Sequence, residues 1–130
     1  MKKLILCFLI IPIFISCQQN RQEKLRKEAL QTSLMCPIRI DKETTLDSMA
    51  YHKSNNTLYY YYSLVGSLDN AKKINNLKAQ ITKNQLETVK NSVELRKYKE
   101  WGISFCYIYF SKTSHKLLLN MKFTKEEYDD

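Results

Sequence analysis

Chemistry in this 130-residue chain would have to start from four cysteines, two histidines and a few carboxylates. His52 and His115 each sit beside a lysine and lack the i, i+4 spacing of a helical metal pair. There is no Cys-x-x-Cys, so the residue pattern argues against a zinc site. Either histidine could activate Cys36 or Cys106 as a nucleophile, but nothing in the spacing brings such a pair together. Gly66 and Gly102 are the two glycines, too few for a glycine-rich phosphate cradle. The densest polar group is Asp41, Glu43, Thr44, Thr45 and Asp47. Several oxygens so close could grip a cation or a basic peptide; they could equally form a solvated bend with local side-chain to backbone bonds. Four consecutive tyrosines, 59–62, are the other group worth weighing. In a strand they split into one pair per face, and an outward pair, Tyr59 and Tyr61, would offer a recognition surface. No catalytic residue, metal ligand or cofactor site is assigned.

Cys17 has a different setting. Lys2 and Lys3 precede an apolar block, residues 4–15, which runs into Ser16-Cys17 and then a polar stretch, residues 18–28. A charged start, a short apolar run and a small residue before the cut make a secretory signal peptide. Twelve residues interrupted by Pro12 fall short of the roughly 20 apolar residues that a membrane-spanning helix needs. Phe14-Ile15-Ser16-Cys17 resembles the lipobox of bacterial lipoproteins, with phenylalanine where leucine is usual. That resemblance implies that residues 1–16 are removed and that Cys17 carries acyl chains. Gln18, in place of an aspartate, points to the outer membrane. The alternative is an ordinary leader cut near Ser16, with Cys17 a plain thiol.

Removal of the leader leaves 114 residues, enough for one domain. Lys2 and Lys3 are the leader's only charges, so the mature chain keeps 19 basic and 13 acidic side chains, net +6. In an exported protein that balance suits anionic headgroups or an acidic protein better than nucleic acid, though it also describes an ordinary solvated surface. Cys36 and Cys106 remain to be placed. An oxidising compartment permits a disulfide between them, and a buried Cys106 acting as a small hydrophobe is the other reading.

Hydrophobic spacing supplies the elements that would position these groups. Residues 17–35 read as a lipid-anchored tether running into a helix that Pro37 stops. Residues 38–40 and 49–52 alternate like strand, residues 54–56 are a turn cluster, and residues 57–65 form the clearest strand of the first half. Ile74, Leu77 and Ile81, then Leu86, Val89 and Val93, recur at helical steps with shifted phase. The shift, with Asn84 and Glu87 spaced as a capping box, predicts a helix broken near residues 82–84. A restart at Ser92 gives a short helix that Gly102 ends. Residues 103–110 form a buried apolar strand, and residues 117–123 alternate strictly. The charged tail, residues 126–130, should fray. The resulting order, α-β-β-α-α-β-β, predicts a two-layer α+β domain over residues 36–125, with two β-hairpins in an antiparallel sheet and helices on one face.

Cys36-Pro37-Ile38-Arg39-Ile40-Asp41, Thr44-Thr45-Leu46-Asp47-Ser48 and Leu58-Tyr59-Tyr60-Tyr61-Tyr62 occur in an order that resembles a family of small bacterial exported proteins. Val93-Glu94-Leu95-Arg96, Gly102-Ile103 and Tyr107-Ile108-Tyr109 continue the likeness, which covers most of residues 35–123. The resemblance implies a lipoprotein or periplasmic domain and carries over no catalytic residue. The family pattern has cysteines near the last helix and at the C-terminus that this chain lacks. The expectation is therefore a non-enzymatic envelope lipoprotein, held to the membrane through Cys17 and presenting a surface to an envelope protein. Tyr59, Tyr61, Asp41 and Asp47 are its candidate contacts. An inhibitor or immunity-like binding module, and a small hydrolase or transferase using cysteine and histidine, are the alternatives.

Overall fold

A computed structural model describes residues 11–130, with side chains from Cys17 onward. Residues 1–10, within the expected leader, lie outside the described residues. Helix α1 (Ile11–Met35) runs unbroken through Cys17, so the expected tether is helical along its whole length. Leu25 and Ala29, one turn apart, are the α1 side chains buried in the core. Pro37 cannot donate a backbone bond and restricts the residue before it. The helix accordingly ends at Met35, with the Cys36 amide closing the last turn on Ser33 at 3.1 Å.

A five-stranded sheet follows, with strands in sequence order. Edge strand β1 (Ile38–Arg39) pairs with β2 (Thr44–His52), which pairs antiparallel with β3 (Thr57–Leu64). A bulge between Leu46 and Ser48 frees Asp47 from the ladder. The hairpin turns through a 3-10 segment, Lys53–Asn55, and Asn56 at φ 50°, a left-handed conformation that asparagine tolerates. The chain then crosses over through α2 (Ala71–Asn91) and α3 (Arg96–Glu100) to β4 (Ser104–Ser111), with β5 (Leu117–Phe123) antiparallel beside it.

The two-layer α+β arrangement is as the sequence indicates, with one refinement. β3 and β4 pair in parallel, Leu58 opposite Phe105 and Leu64 opposite Ser111, so the sheet is mixed. A parallel pair requires a long crossover, and α2 with α3 supplies it. α2 is continuous, against the expected break near residues 82–84. Its sheet-facing row is Ile74, Leu77, Ile81, Gln85 and Val89, and polar Gln85 occupies the position whose apolar absence mimics a phase shift. Asn84 caps nothing; its Oδ1 accepts from Gln80 Nε2 at 2.8 Å within the helix.

Leu25 and Ala29 share one core with Tyr51, Leu58, Ile74, Val89, Phe105, Tyr107, Met121 and Phe123, so the helices cover a single face. The chain's end also differs from expectation. α4 (Lys125–Tyr128) is a helical turn with a Thr124–Glu127 capping box. Tyr128 is buried and its hydroxyl donates to the Ile103 carbonyl at 2.7 Å. An apolar ring one turn past a good cap is enough to bring the charged tail back onto the domain.

Candidate functional site

On the helix-covered face the parallel seam puts two Tyr-x-Tyr segments in register, Tyr60 opposite Tyr107 and Tyr62 opposite Tyr109. The rings stack across the seam with centroids 4.8 Å apart in both pairs and planes within 9° and 12° of parallel. Tyr60 and Tyr62 stack along β3 at 6.5 Å. Such offset pairs contribute about 0.5–1.5 kcal/mol each beyond area burial, which makes a stiff aromatic floor.

The end of this floor nearer Tyr62 and Tyr109 lies in a cleft of about 400 Å³. Ile74, Leu77, Ile81 and Gln85 of α2 form one wall; Ile40, Asp41 and Thr44 form the other. Leu77 and Ile40 stand 41% and 55% exposed, although both are large and apolar. They mark an unfilled apolar surface. Burial drives the Tyr62 phenol well above its ordinary range, and burial followed by the Asp41 charge raises Tyr109. Both hydroxyls therefore stay protonated and offer hydrogen bonds, with no tendency to act as bases. Asp41 is the charged residue in the cleft lining; along its length α2 itself carries Lys72, Lys73, Lys78, Lys83 and Lys90 against Glu87.

The residues singled out from sequence fall on different sides. Tyr59 and Tyr61 lie on the open face of the sheet, stacked at 6.1 Å, with His52 against Tyr59 at 4.8 Å. Asp47, released by its bulge, accepts from Ser63 Oγ at 3.1 Å on that same face. Of the four candidate contacts, Asp41 alone lines the cleft, joined there by Thr44 of the same polar group. The acidic group is divided among local structural tasks. Asp41 Oδ1 accepts from the Glu43 amide at 2.9 Å, and Glu43 Oε1 holds the amide and hydroxyl of Ser67 at 3.1 and 2.8 Å. Among the described residues no group of carboxylates, cysteines and histidines has the arrangement of a metal site.

The Cys36–Cys106 disulfide is not formed; both thiols are free. Cys36 donates to the Thr32 carbonyl at 3.3 Å, and Cys106 to Asn120 Oδ1 at 3.3 Å. Cys36 leads into β1 and Cys106 sits in β4, three strand spacings of about 4.8 Å away. A disulfide needs Cα atoms within roughly 7 Å. Burial pushes both thiols up from their ordinary range. His115 is exposed in the β4–β5 turn, and neither histidine is hydrogen-bonded to a thiol or carboxylate among the described residues.

Cys17 is exposed on α1. Together with Arg21 and Gln22 it borders a pocket of about 290 Å³ shared with Asn56, Trp101 and Ile103, at the opposite end of the sheet from the cleft. The Arg21 guanidinium lies over the Trp101 ring at 5.5 Å, and Lys97 lies over Tyr98 and Trp101 at 4.9 and 5.9 Å. Glu28 ties this corner together by accepting hydrogen bonds from Lys97 and Tyr98. Sequence reading missed both the cleft and this corner. The available signal for the cleft was the repeated Tyr-x-Tyr in two strands, which becomes a floor only when the strands pair in parallel.

The same architecture is found in solved structures of a secreted protein and of secretion-system pilotins. A candidate secreted protein of Pseudomonas aeruginosa superposes with a TM-score of 0.71 at 15% identity, over 82% of this chain and 91% of that one. The type II secretion system pilotin AspS of Vibrio cholerae gives 0.62 at 16% identity, over 88% and 97%. The pilotin EpsS of the Vibrio vulnificus type 2 secretion system gives 0.57 at 8% identity, over 85% and 94%. At these identities the likeness is one of fold. No curated protein matches the chain in sequence. The chain belongs to the family described as a domain of unknown function, DUF8479, which matches residues 19–119.

Proposed function

We propose that this protein is a lipid-anchored, non-enzymatic component of the bacterial envelope, seated in the outer membrane through Cys17, that captures a segment of a partner protein in the cleft beside α2. The observation that carries the reading is the pairing of exposed Leu77 and Ile40 across a rigid tyrosine floor. A preformed apolar cleft with a few hydrogen-bonding groups is built to receive a ligand. The lysines of α2 favour a partner segment that is apolar on one side and acidic on the other. The fold likeness to two secretion-system pilotins and the lipobox-like leader support an envelope role. Lipid anchoring follows from Ser16-Cys17, since more than one acyl chain, at about 0.8 kcal/mol per buried methylene, gives stable attachment.

Photo-crosslinking in intact cells tests the capture. A photoreactive side chain at Leu77 should give a discrete adduct with an envelope protein, and the same group at Tyr61 on the open face should not. A second substitution, Ile40→Glu, should abolish the Leu77 adduct. Equal adducts from both faces, or none from Leu77, would refute the cleft as the capture site. Cys17→Ser should move the protein from the membrane to the soluble fraction, and unchanged fractionation would remove the anchor.

A further inference from the structure

The anchor and the cleft occupy opposite ends of one rigid body. β2 ends and β3 and β4 begin at the Cys17 end, where the 53–56 turn meets residues 101–103; the Asn56 side chain donates to the Gly102 carbonyl across that junction at 3.4 Å. The strands run from there to Leu64 and Ser111, beside the cleft. Eight residues at about 3.3 Å each separate the two ends by about 25 Å. Between Cys17 and the first buried α1 residue, Leu25, lie only about 12 Å of helix at 1.5 Å per residue. α1 is continuous over that distance, so no slack lets the domain hang away from its lipid.

We infer that the corner formed by Arg21, Tyr98, Lys97 and Trp101 docks on the phospholipid headgroup layer, so that the bound domain stands with its cleft directed away from the membrane. This rests on the proposed acylation of Cys17. The corner has the chemistry of an interfacial anchor. Tryptophan and tyrosine favour the headgroup level, where an apolar ring meets water, and basic groups are drawn to anionic lipid. Trp101 is half-buried, and two cations already lie against its ring. Those cations can hold lipid phosphate while the ring edge enters the interface. Acyl chains at Cys17, which borders the same pocket, enter the bilayer beside them.

Trp101 is the chain's single tryptophan and reports on its own docking. The full lipidated protein is reconstituted in vesicles of phosphatidylethanolamine and phosphatidylglycerol, some made with lipid brominated close to the headgroup. Trp101 emission should shift to the blue and be lost to the shallow bromines. The double variant Trp101→Phe, Leu77→Trp moves the reporter to the cleft mouth and should keep its emission. Arg21→Glu with Lys97→Glu should relieve the quenching of Trp101 while the protein still floats with the vesicles. Flotation with unquenched Trp101 overturns the docking and leaves the anchor intact, and so does quenching at both reporter positions. Loss of flotation by the wild-type protein overturns the anchor and the docking together.

Discussion

Leu25→Ala tests whether α1 belongs to the domain or merely tethers it. Leu25 is 1% exposed and meets the sheet in one cluster with Tyr51 and Leu58. The substitution removes three carbons, worth about 2.4 kcal/mol at 0.8 kcal/mol per buried methylene. A residual cavity raises the total, and core Leu→Ala changes cost about 2–5 kcal/mol. About 3 kcal/mol is the expected loss, from a total that for such a domain is about 5–15 kcal/mol. Alanine is the better helix former, so helix propensity slightly favours the variant and any loss must come from packing. With a urea m-value of about 1–3 kcal/mol per molar, the unfolding midpoint should fall by about 1–3 M. Trp101 fluorescence and far-UV circular dichroism should give coincident transitions, because Arg21 of α1 lies over the Trp101 ring. A midpoint unchanged within about 0.5 kcal/mol, the range of ordinary surface substitutions, would show that α1 does not share the core. The fixed distance between lipid and domain would fall with it.

Three further outcomes follow from single contacts. Tyr128→Phe removes a buried hydroxyl from the Ile103 carbonyl and should cost about 1–3 kcal/mol by urea unfolding, whereas deleting Asp129 and Asp130, both exposed, should cost almost nothing; equal effects would mean a frayed tail. Glu43, whose carboxylate is held by Ser67, is depressed below its usual range. Its stabilisation is therefore present above the unfolded value near 4.5 and is lost as pH falls below it. Glu43→Gln should narrow its stability gap to wild type as the urea midpoint is followed down through that window, and a gap independent of pH would contradict the assignment. Free Cys36 and Cys106 should both alkylate after unfolding without reductant, and protection of the pair until reductant is added would restore the disulfide.

How far the sequence could be read depends on where the information lies. The alternation of residues 117–123 and the Ser92 restart were legible because each rests on neighbours along the chain. The parallel seam was not. Strands that look like two hairpins can meet through either outer or inner strands, and residues 57–64 and 104–111 are both apolar enough for the centre. Gln85 misled for a related reason. A polar residue at a helix position facing an open cleft breaks the apolar period without breaking the helix, so the apparent defect in the pattern was a trace of the cleft itself. Leu77 carries the matching signal, an apolar residue on the right helical face that finds no partner.

The division of the tyrosines follows from the same seam. Alternation along β3 sends Tyr59 and Tyr61 to the open face and Tyr60 and Tyr62 to the helices, and sequence can say no more than that the pairs separate. Their roles diverge only through β4. Parallel register brings Tyr107 and Tyr109 beside the inner pair, doubling it into a four-ring floor, while the outer pair meets Cys106 and Ile108. An antiparallel β3–β4 pairing would have kept the alternation and reversed β4. The start of β4, with Trp101 and Gly102 just before it, would then lie at the Leu64 end of the sheet, away from Asn56 and Cys17. The corner beside Cys17, and its separation from the cleft, are consequences of strand direction, a property that period-two patterning does not encode.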